Sequence, residues 1–257
     1  MNFGKQWVAF TTILIKEIKR ILRIWPQTLL PPVITMTLYF VIFGQMIGSR
    51  VGEMGGVSYM QFIVPGLIMM AVITNSYSNV VSSFFSMKFQ GSIEELLVSP
   101  VSKHTILFGY VAGGVFRGLA IALIVTIVAL FFTKLGIMHL GVMLTTIVGT
   151  SVLFSLGGLI NAVFARSFDD ISIIPSFVLT PLTYLGGVFY SLENLSGFWQ
   201  TLSLLNPIVY MVNAFRYGIL GYSDVNVWWS LVAILSFCVV LYVISYRLLA
   251  NGSRLRL

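Results

Sequence analysis

Long apolar runs constrain this chain more than any other feature of its sequence. Each holds about 20 residues or more, the length an α-helix needs to cross the hydrocarbon core of a bilayer. Hydrophobic side chains make up 58% of the 257 residues and charged ones 9%, too few charges for a soluble domain. The runs lie at 28–48, 59–85, 105–132, 141–164, 171–192 and 227–249. The sequence therefore predicts an all-α polytopic membrane protein with six transmembrane helices.

The first 25 residues form a separate segment of the predicted domain, which spans 1–257. At about 100° per residue, the apolar side chains between Trp7 and Trp25 share one face and the basic side chains share the other. This pattern predicts an amphipathic helix lying in the membrane interface. The alternative is that its apolar stripe packs on protein. The basic residues are Lys5, Lys16, Lys19, Arg20 and Arg23.

The segment 194–222 is apolar in its middle but is interrupted by Asn206-Pro207. Each half is too short to cross a bilayer. Two half-helices that dip into the outer leaflet fit this pattern, because irregular backbone at membrane depth must be covered by protein or water. We predict a re-entrant hairpin here. A folded extracytoplasmic loop is the alternative.

Basic residues set the predicted orientation, because cytoplasmic loops carry an excess of Lys and Arg. With the N-terminus inside, eleven Lys and Arg residues lie on the inner side, Arg254 and Arg256 among them, and three lie outside. Both termini are therefore predicted to be cytoplasmic. Because the net charge of +7 is spread over many loops, it indicates contact with anionic lipid rather than nucleic acid.

Several kinds of chemistry are disfavoured by the residue inventory. The chain has one cysteine and two histidines, His104 and His139, which the predicted topology puts on opposite sides of the membrane. A metal site and a membrane-embedded catalytic centre are both disfavoured. None of the lysines is followed by Ser or Thr, as a phosphate-binding loop requires. We expect no catalytic residue and no directly bound cofactor.

The inner loop at 91–102 contains a short predicted helix. Ser92 and Glu95 have the spacing of a capping box, and Pro100 is expected to end the helix. Three consecutive apolar residues in a polar loop favour an element that docks into a groove of a cytoplasmic partner. An ordinary solvated turn is the alternative. The proposed anchors are Leu96, Leu97 and Val98.

Three stretches give the chain a resemblance to a known family. The first reads Ile-Glu-Glu-Leu-Leu-Val-Ser-Pro-Val-Ser at 93–102. The second reads Pro-Leu-Thr-Tyr-Leu-Gly-Gly-Val-Phe-Tyr-Ser at 181–191. The third reads Leu-Asn-Pro-Ile-Val-Tyr at 205–210, followed by Phe-Arg-Tyr-Gly at 215–218 and by Gly221. Over nearly its whole length the chain resembles type-two ABC exporter permeases of the drug-resistance and nodulation-factor branch.

This resemblance implies a homodimer of permeases served by two copies of a separate ABC ATPase, which would bind ATP and magnesium. The coupling helix that docks on the ATPase would comprise Glu94, Glu95, Leu96, Leu97, Val98, Ser99 and Pro100. The N-terminal helix would act beside it as a gate through Lys16, Lys19, Arg20 and Arg23. A second cytoplasmic contact would involve Arg166, Asp169 and Asp170, although such a group is also typical of a solvated turn.

The resemblance also bears on the translocation path and the outer hairpin. Candidate residues of the path are Arg117, Tyr39, Phe43, Tyr184 and Tyr190. A charge inside a span is costly, so Arg117 is expected to line a cavity, to pair across the dimer, or to extend its side chain towards the cytoplasm. The re-entrant motif comprises Asn206, Pro207, Tyr210, Arg216 and Gly221.

The predicted function is the transmembrane permease subunit of an ATP-driven exporter. Its substrate would be amphipathic or hydrophobic: a drug, a lipid-like molecule or a glycolipid. Polysaccharide export is an alternative within the same class. An ion-coupled secondary transporter is a further alternative, but it requires acids or histidines at mid-membrane, and none of the eight acids falls at the centre of a predicted span.

Overall fold

The computed structural model describes residues 3–252, without the side chain of Leu97; Arg254 and Arg256 lie outside this range. The fold is all-α, as predicted, apart from a small antiparallel pairing of β1 (Glu53–Met54) with β2 (Val57–Ser58). The helices are α1 Phe3–Arg23, α2 Trp25–Tyr39, α3 Gly48–Val51, α4 Tyr59–Phe89, α5 Ser92–Val98, α6 Lys103–Leu130, α7 Leu140–Phe164, α8 Asp170–Ile174, α9 Thr180–Tyr184, α10 Gly197–Leu204, α11 Pro207–Leu220 and α12 Val227–Asn251.

Within residues 3–252, five helical segments are long and apolar enough to cross a membrane, and each matches a predicted span. They are Trp25–Val51, Tyr59–Phe89, Lys103–Leu130, Leu140–Phe164 and Val227–Asn251. The first begins three residues earlier than predicted, so Pro31 and Pro32 lie inside its helix. It continues from α2 into α3 through a π-helical segment, Phe40–Ile47.

The predicted span at 171–192 is shorter in the structure. The chain is helical from Asp170 to Tyr184, about 22 Å at 1.5 Å per residue, and includes a π-helical segment, Pro175–Leu179. Prolines at 175 and 181 remove backbone donors from this segment. The chain then turns at Gly187, whose φ of 70° lies in the left-handed region that glycine tolerates.

The centre of the bundle is α4, which packs against α6, α7 and α11. Small residues allow close approach here. A Cβ atom on Gly158 would come within 2.5 Å of the backbone oxygen of Tyr77, and one on Gly114 would overlap the hydroxyl of Ser155. Such contacts are typical of helix packing in membranes. In contrast, α2 and α12 keep most of their apolar side chains exposed.

Two half-helices, α10 and α11, occupy the segment of the predicted hairpin. Asn206 begins α11 by accepting a hydrogen bond from the Ile208 amide (3.0 Å), and its Nδ2 donates to the carbonyl oxygen of Leu182 (2.7 Å). Gly221 ends α11 with a φ of 72°. The break at Asn206-Pro207 is therefore a helix boundary held to α9.

The short inner helix α5 exists, but its predicted capping box is wrong. Ser92 is the first helical residue, and the preceding Gly91 takes the cap position with a φ of 75°. Only glycine adopts this conformation without steric cost, so the chain reverses direction at Gly91 and leaves Ser92 no role as a cap. The helix ends at Val98, before Pro100, as predicted.

Candidate functional site

The exposed face of α5 is acidic with an apolar tip. Glu94 and Glu95 are exposed, and Val98 keeps 84% of its surface accessible. Ile93 is fully buried, and Leu96 is partly buried against the core of its own chain. Of the proposed anchors, Val98 is therefore free for a partner, whereas Leu96 helps to hold α5 in place.

The N-terminal helix is attached to the chain that follows α5. The Gln6 side-chain oxygen accepts hydrogen bonds from the Ser102 amide (3.0 Å) and from the Thr105 hydroxyl (2.6 Å), and Gln6 Nε2 donates to the Pro100 carbonyl oxygen (3.4 Å). From this point α1 runs beside α6, with Ile13 against Gly109. The start of α1 is thus bound to the loop between α5 and α6 and to the first turn of α6.

The loop between α7 and α8 lies against the end of α4 that leads into α5. The ring of Phe168 packs on those of Phe85 and Phe89, at centroid distances of 5.0 and 5.1 Å. Lys88 is buried and donates to the carbonyl oxygens of Val163 and Ala165, both at 2.7 Å, which ties the inner ends of α4 and α7 together.

The carboxylate of Asp170 organises this loop. It accepts hydrogen bonds from the amides of Arg166 (2.8 Å) and Ser167 (3.1 Å). These hydrogen bonds, with a contribution from the Arg166 charge, hold the pKa of Asp170 below its ordinary value. Asp169 is exposed. The structure therefore brings the predicted second contact to the same end of the bundle as α5.

A polar cluster fixes α1 to α4. Glu17 is fully buried; it accepts a hydrogen bond from the Ser83 hydroxyl (2.5 Å) and pairs with Arg20 (2.9 Å). Arg20 Nη2 also donates to the Asn79 backbone oxygen (3.0 Å) and side-chain oxygen (2.8 Å). The other predicted gate residues, Lys16, Lys19 and Arg23, remain exposed.

Arg117 is buried inside its own subunit, with 8% of its surface exposed. Its Nη2 donates to the side-chain oxygen of Asn75 (2.9 Å) and to the carbonyl oxygen of Thr28 (3.2 Å). Asn75 and Asn79 lie one turn apart on α4, so this helix holds Arg117 and Arg20 in succession. Within one chain, the Arg117 side chain points into the bundle rather than along a free surface.

The aromatic candidates for the path meet where α2 approaches α9. The hydroxyl oxygens of Tyr39 and Tyr184 lie 2.7 Å apart. The Phe189 ring contacts Phe43, Tyr39 and Tyr184 at centroid distances of 4.6, 6.0 and 5.8 Å. Tyr190 is half-buried nearby in sequence. The cluster joins the two segments that contain π-helical turns, a feature frequent at functional sites.

Arg216, one of the three basic residues that the charge count assigned to the outer side, is fully buried. Its Nη2 donates to the Gly187 carbonyl oxygen (2.6 Å), its Nε donates to that of Phe62 (3.3 Å), and its guanidinium lies 3.9 Å above the Phe62 ring. Asp224, which the sequence interpretation missed, lies 3.8 Å from Nη1. The sequence signal that could have indicated this ion pair was an acidic residue shortly after the Phe-Arg-Tyr-Gly stretch.

Asp224 is itself held by several donors. It accepts hydrogen bonds from the hydroxyls of Ser191 and Tyr222, both at 2.6 Å, and from the Leu192 amide (3.1 Å). Burial of Tyr222, followed by its hydrogen bond to Asp224, raises the pKa of the phenol above its ordinary value. We call Arg216, Asp224, Tyr222, Ser191 and Gly187 the outer lock, since they join α11 to the turn after α9.

The described part of the chain contains no group of three His, Cys, Asp or Glu side chains that could bind a metal ion. The predicted functional residues instead fall into two groups. One group comprises α5, the start of α1 and the loop at 166–170, and the other comprises the aromatic cluster and the outer lock.

The family of the chain is shown by its sequence match. The model of the ABC-2 type transporter family matches residues 8–220, and the chain belongs to this family of membrane transport proteins. The chain is also similar to the inner membrane transport permease YadH of Escherichia coli K12, at 60% identity over 97% of this chain and 98% of that protein.

More distant relatives carry another name. The chain is 24% identical to Nodulation protein J of Neorhizobium galegae, over 88% of this chain and 87% of that protein. It is 25% identical to Nodulation protein J of Rhizobium leguminosarum bv. viciae, over 82% of each. The resemblance found in the motifs is thereby confirmed.

Proposed function

We propose that this protein is the transmembrane permease subunit of an ATP-driven exporter in the bacterial inner membrane, with both termini in the cytoplasm. The observation that carries the proposal is the exposed acidic and apolar face of α5, presented beside the start of α1. Membership of the ABC-2 family implies an ATPase partner, and the name of the 60% identical relative supports the inner-membrane location.

Each transporter would contain two copies of this chain and two ATPase subunits that bind ATP and magnesium. Exposed apolar side chains on α2 and in the segment 170–184, such as Phe177, favour self-association along these elements. The aromatic cluster of Tyr39, Phe43, Tyr184 and Phe189 would then lie beside the path shared by the two copies.

The contacts around α5 suggest how force would reach the spans. Closure of the ATPase subunits would move α5, and the hydrogen bonds of Gln6 would carry this movement to α1. The attachment of α1 to Asn79 and Ser83 would pass it on to α4. The paired spans would switch from inward-open to outward-open and release an amphipathic or hydrophobic substrate outside.

Copurification with an ATPase tests the docking surface. The chain is expressed with a candidate ABC ATPase partner, and the amount of ATPase bound per permease is measured. The triple variant Glu94→Lys, Glu95→Lys, Val98→Asp reverses the charge of the exposed face and removes its apolar tip. We expect bound ATPase to fall at least tenfold, since a few anchors dominate helix-in-groove binding.

The matched control is Glu53→Lys, which reverses an exposed acid in the small outer hairpin. It should bind ATPase like the wild type. Leu96 is unsuited to this test because it packs on the core of its own chain. Equal ATPase recovery with the triple variant and the wild type would contradict docking through α5, provided that both permeases elute as monodisperse species.

A further inference from the structure

Helix α1 packs on a row of glycines along α6. A Cβ atom on Gly109 would lie 2.9 Å from the Cβ of Ile13, and one on Gly113 would lie 2.7 Å from the Cβ of Glu17. Both contacts advance by four residues on both helices, so α1 and α6 run parallel with their turns in step. The next residue of the same row on α6 is Arg117. Because the row carries no side chain before Arg117, α1 meets the same surface one turn further along.

The face of α4 that contacts α1 also repeats at intervals of one turn. The Ser83 hydroxyl donates to Glu17 (2.5 Å), and the Asn79 side-chain oxygen accepts from Arg20 (2.8 Å). Asn75 follows four residues before Asn79, on the same face of α4. The helix therefore presents α1 with three polar side chains in a row, of which α1 uses two.

Two buried donors in this region have no acceptor. Asn79 Nδ2 and Arg117 Nε lack a hydrogen-bond partner among residues 3–252. Arg117 also has no carboxylate within 4 Å in that range. Buried donors without acceptors and buried charges without counter-charges are both costly. The Glu17 carboxylate could satisfy both donors, because Glu17 lies against Gly113, one turn before Arg117.

We propose that α1 moves along α6 by one helical turn, about 5.4 Å, and that Glu17 then exchanges Arg20 for Arg117. The carboxylate accepts hydrogen bonds from the two unpartnered donors, Asn79 Nδ2 and Arg117 Nε. The Arg20 guanidinium reaches the side-chain oxygen of Asn75, which has a second lone pair available. Each polar contact of the present register thus has a replacement one turn further along.

The two ends of α1 fit such a movement. Ile24, with a φ of −111° and a ψ of 31°, separates α1 from α2, and the π-helical segment Phe40–Ile47 interrupts the same span further along. These irregular points can absorb an axial shift. At the other end, Gln6 holds the present register through Ser102 and Thr105. The inference deepens the proposed function by naming the element that moves, and it rests on that function only for the driving force.

The distance between two spin labels measures the register in the full-length permease, purified in dodecyl maltoside without its ATPase. The labels replace the exposed residues Lys19 on α1 and Leu130 at the end of α6, in a Cys238→Ser background. Arg20→Gln removes the present partner of the Glu17 carboxylate, so the shifted register should become populated. We expect double electron–electron resonance to show a distance that is shorter by about 5 Å.

Two controls accompany this variant. Arg23→Gln removes an exposed cation from the same helix and should keep the wild-type distance. The double variant Glu17→Gln, Arg20→Gln removes the carboxylate together with its partner, leaves no unpaired acid in the bundle, and should also keep that distance. An unchanged distance in Arg20→Gln alone would overturn the proposal. Equal shortening in the double variant would overturn it as well, because the movement would not depend on Glu17.

The assembled transporter separates this inference from the proposed function. With the ATPase and a non-hydrolysable ATP analogue bound, the wild type should show the shorter distance, and Arg117→Gln should keep the longer one. Equal shortening in both would overturn the exchange of partners. Shortening in Arg20→Gln without any response of the wild type to nucleotide would support the second register and contradict its movement by ATP.

Discussion

Arg216 and Arg117 are both buried among helices, yet their surroundings differ in kind. Arg216 has a carboxylate, two backbone carbonyl oxygens and an aromatic face around its guanidinium. Arg117 has one backbone oxygen and one amide oxygen, and its Nε is left without a partner in the part of the chain described. Arg216 is compensated within its own chain, whereas Arg117 is not.

This difference indicates different roles. A buried charge whose partners are all supplied by the fold joins elements together, and removing it leaves its partners unsatisfied. A buried charge whose compensation is incomplete retains the capacity to attract an anion. The outer lock therefore serves the structure around α11, whereas the fold leaves the charge of Arg117 only partly compensated.

The largest effect is expected from Arg216→Ala. This change leaves Asp224 and the Gly187 carbonyl oxygen buried without their partner, so the free energy of unfolding should fall by about 3–5 kcal/mol. Titration with SDS in mixed micelles measures this quantity. Arg216→Lys keeps the charge but loses the planar, forked guanidinium group. Its free energy of unfolding should lie between those of the alanine variant and the wild type. A decrease of less than about 1 kcal/mol in the free energy of unfolding of Arg216→Ala would contradict a structural role for the outer lock.

A smaller effect is expected from Tyr222→Phe. The change removes one hydrogen bond to the Asp224 carboxylate, with a cost of about 1.5 kcal/mol. Because the folded state raises the pKa of Tyr222, its contribution to stability is present below the ordinary value of 10.0 and is lost as the pH rises through the folded value. The wild type should therefore lose stability above pH 10.0 more steeply than Tyr222→Phe.

The same SDS titration, repeated over a range of alkaline pH, checks both parts of this prediction. Tyr190→Phe serves as the control, because it removes a hydroxyl from a half-buried ring of the same region. It should keep the alkaline loss of the wild type. If the free energy of unfolding of Tyr222→Phe and of the wild type fell in parallel with rising pH, the ionisation of Tyr222 would not be linked to stability.

Hydropathy was sufficient to predict five spans and the all-α class, because burial in lipid needs continuous apolar helices. It was insufficient at 171–192, where prolines and Gly187 end the helix although the side chains stay apolar. Composition records how well a segment dissolves in lipid. Composition does not indicate where a proline removes a backbone hydrogen-bond donor, or where a residue adopts a positive φ.

The candidate site shows a similar division. The position and the end of α5 followed from local signals, whereas its start depended on Gly91, whose φ of 75° displaced the predicted serine cap. The burial of Arg216 was unpredictable from charge counting, since its partners come from α4, from the turn after α9 and from Asp224. Partners distant in sequence leave no periodic pattern to read.

The smallest change in stability is expected from Arg117→Gln, which is also the sharpest test of the contrast with Arg216. Glutamine can still donate to Asn75, and the change removes a buried cation that has no carboxylate within 4 Å in residues 3–252. The relief of desolvation should offset the lost hydrogen bond to Thr28, so the free energy of unfolding should change by less than about 1 kcal/mol. A loss of about 3 kcal/mol or more, measured by the same SDS titration, would show that the charge of Arg117 is already balanced by the fold. The two arginines would then be equivalent, because the fold would compensate the charge of each.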